Sequence, residues 1–295
     1  MITHTNSISI KDWDVVKTEM WLIKLWRDNN WMKQDVNKLF QLLSCMIFCA
    51  EHSRNKETLN TIEEIFEYIN TYCFSKIDES NPLIFTMTYH HLNRIDKIPN
   101  RFFQEGALRV RENLKNIQGD LKDDEKVFFL MDRYNLVTEE QTIQFVRSKI
   151  IDDTRFLLLD AEDIEKQLYL WFLCTSLGER KVLPNDLKQS SENIKILLSG
   201  CLLAECQKYQ LILVSLLLRT MNYLSYESEL LIEGTDFLCF QQRFNGSFGY
   251  LNPITSKKNH LTENINIDFH LPTLYEILWT FSDIIKDKSE QKNNE

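Results

Sequence analysis

Five stretches of this sequence repeat one pattern, in which an apolar helix is followed by a short polar turn and a second, amphipathic helix. Within each stretch the apolar residues recur three and four positions apart, as they do on one face of an α-helix. The stretches are Ile47 to Ile69, Tyr89 to Leu114, Phe128 to Ile150, Trp171 to Ile194 and Leu216 to Leu238. Such a repeated unit predicts tandem helical hairpins.

The spacing of the five hairpins is nearly constant. Equivalent points are Cys49, Leu92, Tyr134, Leu177 and Thr220, and successive points lie 43, 42, 43 and 43 residues apart. Hairpins of this length can form an open α-solenoid, in which each pair touches only its neighbours, or a closed ring with two layers of helices. The period alone is compatible with both architectures.

The remaining segments predict how the repeat begins and ends. The segment from Trp13 to Phe48 predicts one or two opening helices, and the segment from Pro272 to Ile285 predicts a closing helix. Residues 287–295 are polar and lack apolar periodicity, which is typical of a disordered tail. We therefore expect a single all-α domain over residues 1–286 and a disordered tail over residues 287–295.

Local signals mark several helix starts. Thr138 and Gln141 have the spacing of a capping box, in which each side chain bonds to the backbone of the other residue. Pro99 and Pro184 fall at or just before predicted helix starts, where the missing N–H of proline costs little. The 295 residues contain only 7 Gly and 5 Pro, which favours long helices with short connections over β-hairpins.

Composition excludes several classes of protein. The net charge of −9 repels phosphate backbones, so we expect no nucleic acid partner. No apolar run approaches the roughly 20 residues of a membrane span, so we expect no membrane partner. The N-terminus lacks the pattern of a secretion signal, which favours a cytoplasmic location. Seven cysteines, an odd number, argue against a disulfide framework.

One segment, residues 237–253, departs from the repeat. Phe237, Leu238, Gln241, Gly246 and Phe248 resemble the QW-type repeat of the terpenoid cyclase and protein prenyltransferase superfamily, with Phe where that family usually carries Trp. The resemblance implies an α/α toroid whose helices enclose a central cavity. The physical interpretation is a tie between helices, in which the glutamine amide bonds to backbone groups at a helix end and the aromatic ring packs on a neighbouring helix.

The catalytic motifs of that superfamily are not intact here. The sequence has no aspartate-rich motif that would protonate an alkene or bind a magnesium-diphosphate group, and no recognisable zinc ligand set. It also lacks a glycine-rich phosphate loop and a nucleophile elbow. We therefore expect no cofactor and no metal site, and whether the chain is an enzyme stays open.

The repeat nevertheless aligns four polar residues. His91, Arg133, Ser176 and Arg219 lie 42, 43 and 43 residues apart and so occupy the same position in successive hairpins. If that position faces a central cavity, the residues form a ligand-binding site for an anion or carboxylate, which arginine binds in a forked geometry. If it faces the outer rim, they are solvated helix ends. For an enzyme, Asp132 and His91 are the candidate catalytic residues, with Asp132 as acid or base.

Two functions follow from these patterns. The first is a toroid that binds a mostly apolar small molecule or modified peptide in a central cavity, within a bacterial biosynthetic pathway as the superfamily resemblance suggests. The second is a non-catalytic helical-repeat scaffold whose concave face binds a protein or peptide partner. The absence of an intact catalytic motif favours the second function, whereas the QW-like segment favours the first.

Overall fold

The computed structural model describes residues 13–29, 32–117, 124–180, 183–226, 228–249 and 267–293. Twelve α-helices connected by turns and short 3₁₀ segments make up most of these residues, which contain no β-strand beyond one isolated bridge. The predicted all-α class is thus confirmed. None of the described helices is both long enough and apolar enough to cross a membrane.

The helices follow one another with short connections. They are α1 (Val15–Asp28), α2 (Val36–Ser53), α3 (Lys56–Tyr72), α4 (Pro82–Leu92), α5 (Arg101–Lys115), α6 (Glu125–Arg133), α7 (Glu139–Lys149), α8 (Ala161–Thr175), α9 (Asn185–Lys208), α10 (Leu211–Tyr223), α11 (Glu229–Cys239) and α12 (Ile267–Asn293). The pairs α2–α3, α4–α5, α6–α7, α8–α9 and α10–α11 coincide with the five predicted hairpins.

Contacts link the first helices of successive pairs. Helix α2 contacts α4, α4 contacts α6, α6 contacts α8, and α8 contacts α10. The last helix, α12, contacts both α10 and α2. We call α2, α4, α6, α8, α10 and α12 the core helices.

Burial differs between the two helices of a pair. In α2, thirteen of eighteen residues are buried, whereas in α3 only six of seventeen are buried. Likewise, eleven of the thirteen residues of α10 are buried, against five of eleven in α11. A helix that is apolar around most of its circumference packs inside a protein, while an amphipathic helix covers it from one side. Polar side chains on the buried faces of α2 and α10 therefore lie in the interior.

The predicted helix starts are confirmed where the sequence marks them. Thr138 Oγ1 accepts a hydrogen bond from the Gln141 N–H at 3.2 Å, and Gln141 Oε1 accepts one from the Thr138 N–H at 2.8 Å. Pro184 directly precedes α9, and Pro99 lies two residues before α5. These local bonds satisfy N–H groups that have no partner inside the helix.

The end of the chain differs from its prediction. Helix α12 begins at Ile267, so Pro272 lies inside it rather than at its start. It also continues to Asn293, through residues 287–293 that we predicted to be disordered. These residues include lysine, glutamate and glutamine, which have high helix propensity and extend an existing helix without apolar periodicity.

The loop after α11 binds the start of α1. Gln242 Oε1 accepts a hydrogen bond from the Asp14 N–H at 2.9 Å. Gln242 Nε2 donates to the Asp14 carbonyl at 2.8 Å and to Thr18 Oγ1 at 2.9 Å. A tie between helices is therefore present at Gln242, one residue after the Gln241 of the QW-like segment.

Phe248 anchors the same loop in the interior. Its side chain is fully buried, and its ring centre lies 6.0 Å from that of Phe281 on α12 in an edge-on arrangement. The Phe248 carbonyl also lies 2.9 Å from His270 Nδ1. The loop therefore connects α1, α11 and α12. Residues 250–253 of the QW-like segment lie outside the described residues.

Candidate functional site

A cluster of polar and aromatic side chains lies between three core helices. It consists of Arg219 on α10, His91 on α4, and Tyr275, Glu276 and Trp279 on α12. We call these five residues the interior cluster. The side chains of Arg219 and His91 are 0% exposed. Groups of this polarity are rarely buried to that extent unless they are paired.

Arg219 is only partly paired. Its Nη2 donates to the Glu276 carboxylate, and its guanidinium lies 3.8 Å from the ring centre of Trp279. Burial opposes the charge of Arg219, but Glu276 beside it keeps the pKa of the guanidinium above its ordinary value. Nε and Nη1 are buried and have no hydrogen-bond partner. Three of the five donor hydrogens of the side chain, one on Nε and two on Nη1, are therefore unused.

His91 contacts the same indole. Its ring centre lies 4.9 Å from that of Trp279 and 6.0 Å from that of Tyr275. Nδ1 lies 3.2 Å from Ser44 Oγ, whereas Nε2 is buried and has no partner. Burial, reinforced by the nearby positive charges of Arg94 and other residues, holds the pKa of His91 well below 6.5. His91 is therefore neutral at physiological pH.

Tyr275 adds a further unpaired group. Its side chain is buried, and its hydroxyl has no hydrogen-bond partner. Burial, followed by the charge of Glu276, raises the pKa of Tyr275 well above 10. Among the described residues, nine buried side-chain nitrogen or oxygen atoms lack a partner, and four of these belong to Arg219, His91 and Tyr275. Buried polar atoms are normally satisfied, so a concentration of unpaired ones calls for an explanation.

A second polar cluster lies where the core helices end. It consists of His90, Arg94, Arg133, Ser176 and Asp283, which we call the rim cluster. Arg133 Nη2 donates to Ser176 Oγ at 2.8 Å, and Arg94 forms an ion pair with Asp283. Burial and the charges of Arg133 and Arg94 lower the pKa of His90 to about 4.

The rim cluster also joins helices that are distant in sequence. Arg94 Nη1 donates to Ser282 Oγ at 2.6 Å and lies 3.4 Å from the Glu51 carboxylate. The hydroxyl of Tyr223 donates to Asp283. Arg94 and Asp283 thus connect the ends of α2, α4 and α10 to α12. The network fixes the arrangement of the core helices on which the interior cluster depends.

The structure separates the four residues that share a repeat position into two pairs. His91 and Arg219 lie in the interior cluster and share Trp279 as a neighbour. Arg133 and Ser176 are bonded to each other at the helix ends. His91 and Arg219 therefore lie in the interior, whereas Arg133 and Ser176 lie at helix ends.

Asp132 joins neither pair. Its Oδ1 accepts a hydrogen bond from Thr142 Oγ1 of α7 at 2.8 Å, so the side chain faces α7. The structure thus places this candidate acid or base in a contact within one hairpin, away from His91. Sequence reasoning also missed Glu276 and Asp283 as site residues. In the sequence, the two acidic residues lie seven positions apart within a mostly apolar helix. This pattern predicts that they are buried and paired with positive charges.

Within the described part of the chain, no three His, Cys, Asp or Glu side chains lie close enough together to hold a metal ion. Comparisons with family models, curated proteins and solved structures gave no match for this chain. Any function must therefore be argued from the two clusters themselves.

The lowered pKa of His90 predicts that the protein loses stability in acid. The unfolded chain takes up a proton as the pH falls through about 6.5, but folded His90 does so only near 4. The contribution of His90 to the free energy of unfolding is thus complete above pH 6.5 and is lost as the pH falls towards 4. We expect it to reach about 2 kcal/mol, allowing for the partial exposure of this side chain.

The measurement is the free energy of unfolding of the wild type and of His90→Gln at pH 8 and pH 5. The variant should lose less stability between the two pH values. Burial raises the pKa of Glu51 and Glu276, so these groups act in the opposite direction in both proteins and cancel in the comparison. Equal losses in the two proteins would contradict the role assigned to His90.

Proposed function

We propose that the six core helices close into an α/α toroid whose centre binds a small, mostly apolar molecule. The contacts of α12 with both α10 and α2 support closure, because they join the two ends of the series of core helices. In an open solenoid each pair touches only its neighbours, so the first and last helices stay apart. The bonds between Gln242 and Asp14, which join the last hairpin to the first helix, support closure as well.

The single observation that carries the binding function is the set of unpaired polar atoms in the interior cluster. An unsatisfied buried donor or acceptor costs about 1–3 kcal/mol. Four such atoms on His91, Arg219 and Tyr275 are hard to reconcile with a purely structural core. A bound molecule that offers partners to these atoms would offset that cost.

The surroundings of the cluster favour a ligand that is mostly apolar. The ring centre of Phe48 lies 4.7 Å from that of His91, and the ring of Phe172 lies 5.4 Å from the Arg219 guanidinium. Trp279 contacts both His91 and Arg219. Ligand sites are commonly lined by such aromatic side chains around a few polar groups that fix the orientation of the ligand.

Native mass spectrometry of the freshly purified protein, compared with its denatured mass, tests this function. A retained small molecule would support the binding function and identify the class of ligand. A spectrum that shows only the bare protein, together with no thermal stabilisation by a cell extract of small molecules, would contradict it. Ligands that bind only the folded state raise its melting temperature.

Tyr275→Phe gives a sharper test of the interior cluster. Because the change removes a hydroxyl that has no protein partner, we expect the free energy of unfolding of the ligand-free protein to rise by about 1 kcal/mol or to stay unchanged. Retention of the small molecule should fall at the same time. Denaturant unfolding and native mass spectrometry measure the two effects.

Tyr134→Phe is the matched control for Tyr275→Phe. The hydroxyl of Tyr134 lies 3.1 Å from Thr86 Oγ1, so its removal should lower stability by about 1 kcal/mol and leave ligand retention unchanged. If Tyr275→Phe destabilises the ligand-free protein as much as Tyr134→Phe does, the Tyr275 hydroxyl is structural and does not support a binding site.

A second candidate function, a scaffold for a protein or peptide partner, is favoured by an open groove between α6 and α7. The groove has a volume of about 480 Å³ and an apolar lining that includes Phe128, Met131, Leu136 and Phe145. Open apolar grooves are suited to a peptide side chain or a helix face. The scaffold function would be favoured if the wild type captures a partner protein that Met131→Lys does not capture. The native mass spectrum should then show no retained small molecule.

A further inference from the structure

The hydrogen bonds behind His91 determine which of its two nitrogens carries the proton. The Thr88 hydroxyl donates to the Ile84 carbonyl at 2.9 Å, and a carbonyl can only accept. The Thr88 oxygen must therefore accept the hydrogen bond from the Ser44 hydroxyl at 3.1 Å. Since Ser44 has only one proton, its oxygen can only accept from His91 Nδ1, which lies 3.2 Å away.

This chain of hydrogen bonds places the proton of neutral His91 on Nδ1. Nε2 is then a bare acceptor, buried and without a partner. The unused groups of Arg219, on Nε and Nη1, are all donors. The interior cluster thus offers both an unpaired acceptor and several unpaired donors, on two side chains that contact the indole of Trp279.

The charges within the cluster already balance. Arg219 is paired with Glu276, and His91 is neutral. An additional negative charge at this site would lie close to the Glu276 carboxylate, in surroundings of low polarity where repulsion between like charges is strong. This argues against the anion or carboxylate that the sequence alone suggested for Arg219.

We propose that the interior cluster binds a neutral molecule that carries both a carbonyl-type acceptor, for Arg219, and an N–H or O–H donor, for His91 Nε2. This inference rests on the proposed binding function and names the class of ligand. Primary amides, lactams and hydroxy-ketones belong to this class, whereas carboxylates do not. The apolar remainder of the ligand packs against the aromatic rings around the cluster, including that of Trp279, which contacts both Arg219 and His91.

Three probes of similar size test the proposal. Benzamide offers both an acceptor and N–H donors, N,N-dimethylbenzamide offers only the acceptor, and benzoate is the matched anion. Each is titrated by calorimetry into the wild type and into Trp279→Leu, in which a smaller side chain leaves room beside Arg219 and His91. Circular dichroism checks the fold, and Trp279→Phe replaces Trp279→Leu if the latter does not fold.

We expect benzamide to bind Trp279→Leu about tenfold more tightly than either other probe, and more tightly than it binds the wild type. Adding His91→Phe to Trp279→Leu should abolish the preference for benzamide over N,N-dimethylbenzamide, because the acceptor is lost. Benzoate binding as tightly as benzamide, or no probe binding to either protein, would overturn the proposal.

The native mass spectrum separates this proposal from the function on which it rests. If a small molecule is retained but benzamide does not bind, the binding function is supported and only the proposed class of ligand is contradicted. If no molecule is retained and benzamide does not bind, both the binding function and the class of ligand are contradicted. A retained molecule that proves to be a carboxylate would also overturn the class.

Discussion

Replacing Arg219 with methionine is expected to lower the free energy of unfolding by about 4 kcal/mol, since the change leaves the Glu276 carboxylate inside the protein without its counter-charge. The side chain of Arg219 is 0% exposed and that of Glu276 is 18% exposed, so water reaches the carboxylate only in part and does not replace its counter-charge. The contact between the guanidinium and Trp279 at 3.8 Å is lost as well. Equilibrium unfolding in urea measures the effect.

The double variant Arg219→Met/Glu276→Met is the matched control. Replacing both members of a buried ion pair with apolar side chains of similar size is often neutral or stabilising. We therefore expect the double variant to regain most of the stability that Arg219→Met loses. A single variant as stable as the wild type, or a double variant less stable than the single one, would contradict the burial and pairing of Arg219.

The helices could be predicted because their signals are local. Thr138 and Gln141 lie three residues apart, and each bonds to the other's backbone whatever the rest of the chain does. The hairpins follow for the same reason, because apolar periodicity within one stretch determines which helix face is buried. The end of α12 was missed because helix propensity, rather than periodicity, extends it to Asn293.

The interior cluster could be predicted only in part. The repeat places His91 and Arg219 at the same position in their hairpins, and both contact Trp279. Their partners could not be predicted, since Glu276 lies 57 residues after Arg219 and belongs to a helix outside the repeat. Trp279 and Tyr275 resemble ordinary core aromatics in the sequence, because nothing local marks an unpaired hydroxyl or a stacked guanidinium.

Helix ends explain why Arg133 and Ser176 have different surroundings from Arg219, which shares their repeat position. Helix α6 ends at Arg133, whereas α10 continues for four residues beyond Arg219, to Tyr223. Ser176 lies just after α8 and has a φ of 49°, so the chain has already left the helix there. The position that is buried in α10 therefore lies at the end of α6. The spacing of the repeat alone does not predict where each helix ends.

Gly246→Ala is expected to destabilise the protein by about 3 kcal/mol or more, because the added methyl group has no space. Gly246 has a φ of 92°, which L-residues with a side chain rarely adopt. A Cβ at this position would lie 2.0 Å from the backbone oxygen of Lys17 in α1. The loop would have to move away from α1 and break the bonds between Gln242 and Asp14.

Gly200→Ala is the control for the loss of a glycine as such. Gly200 lies in α9, and a Cβ there would make only an ordinary contact of 3.6 Å with Leu157. Alanine within a helix is favoured over glycine, so this variant should gain about 0.5–1 kcal/mol. Melting temperatures that move in opposite directions for the two variants would support the close contact between the loop and α1. Since that contact joins the last hairpin to the first helix, a tolerated Gly246→Ala would also weaken the case for a closed toroid.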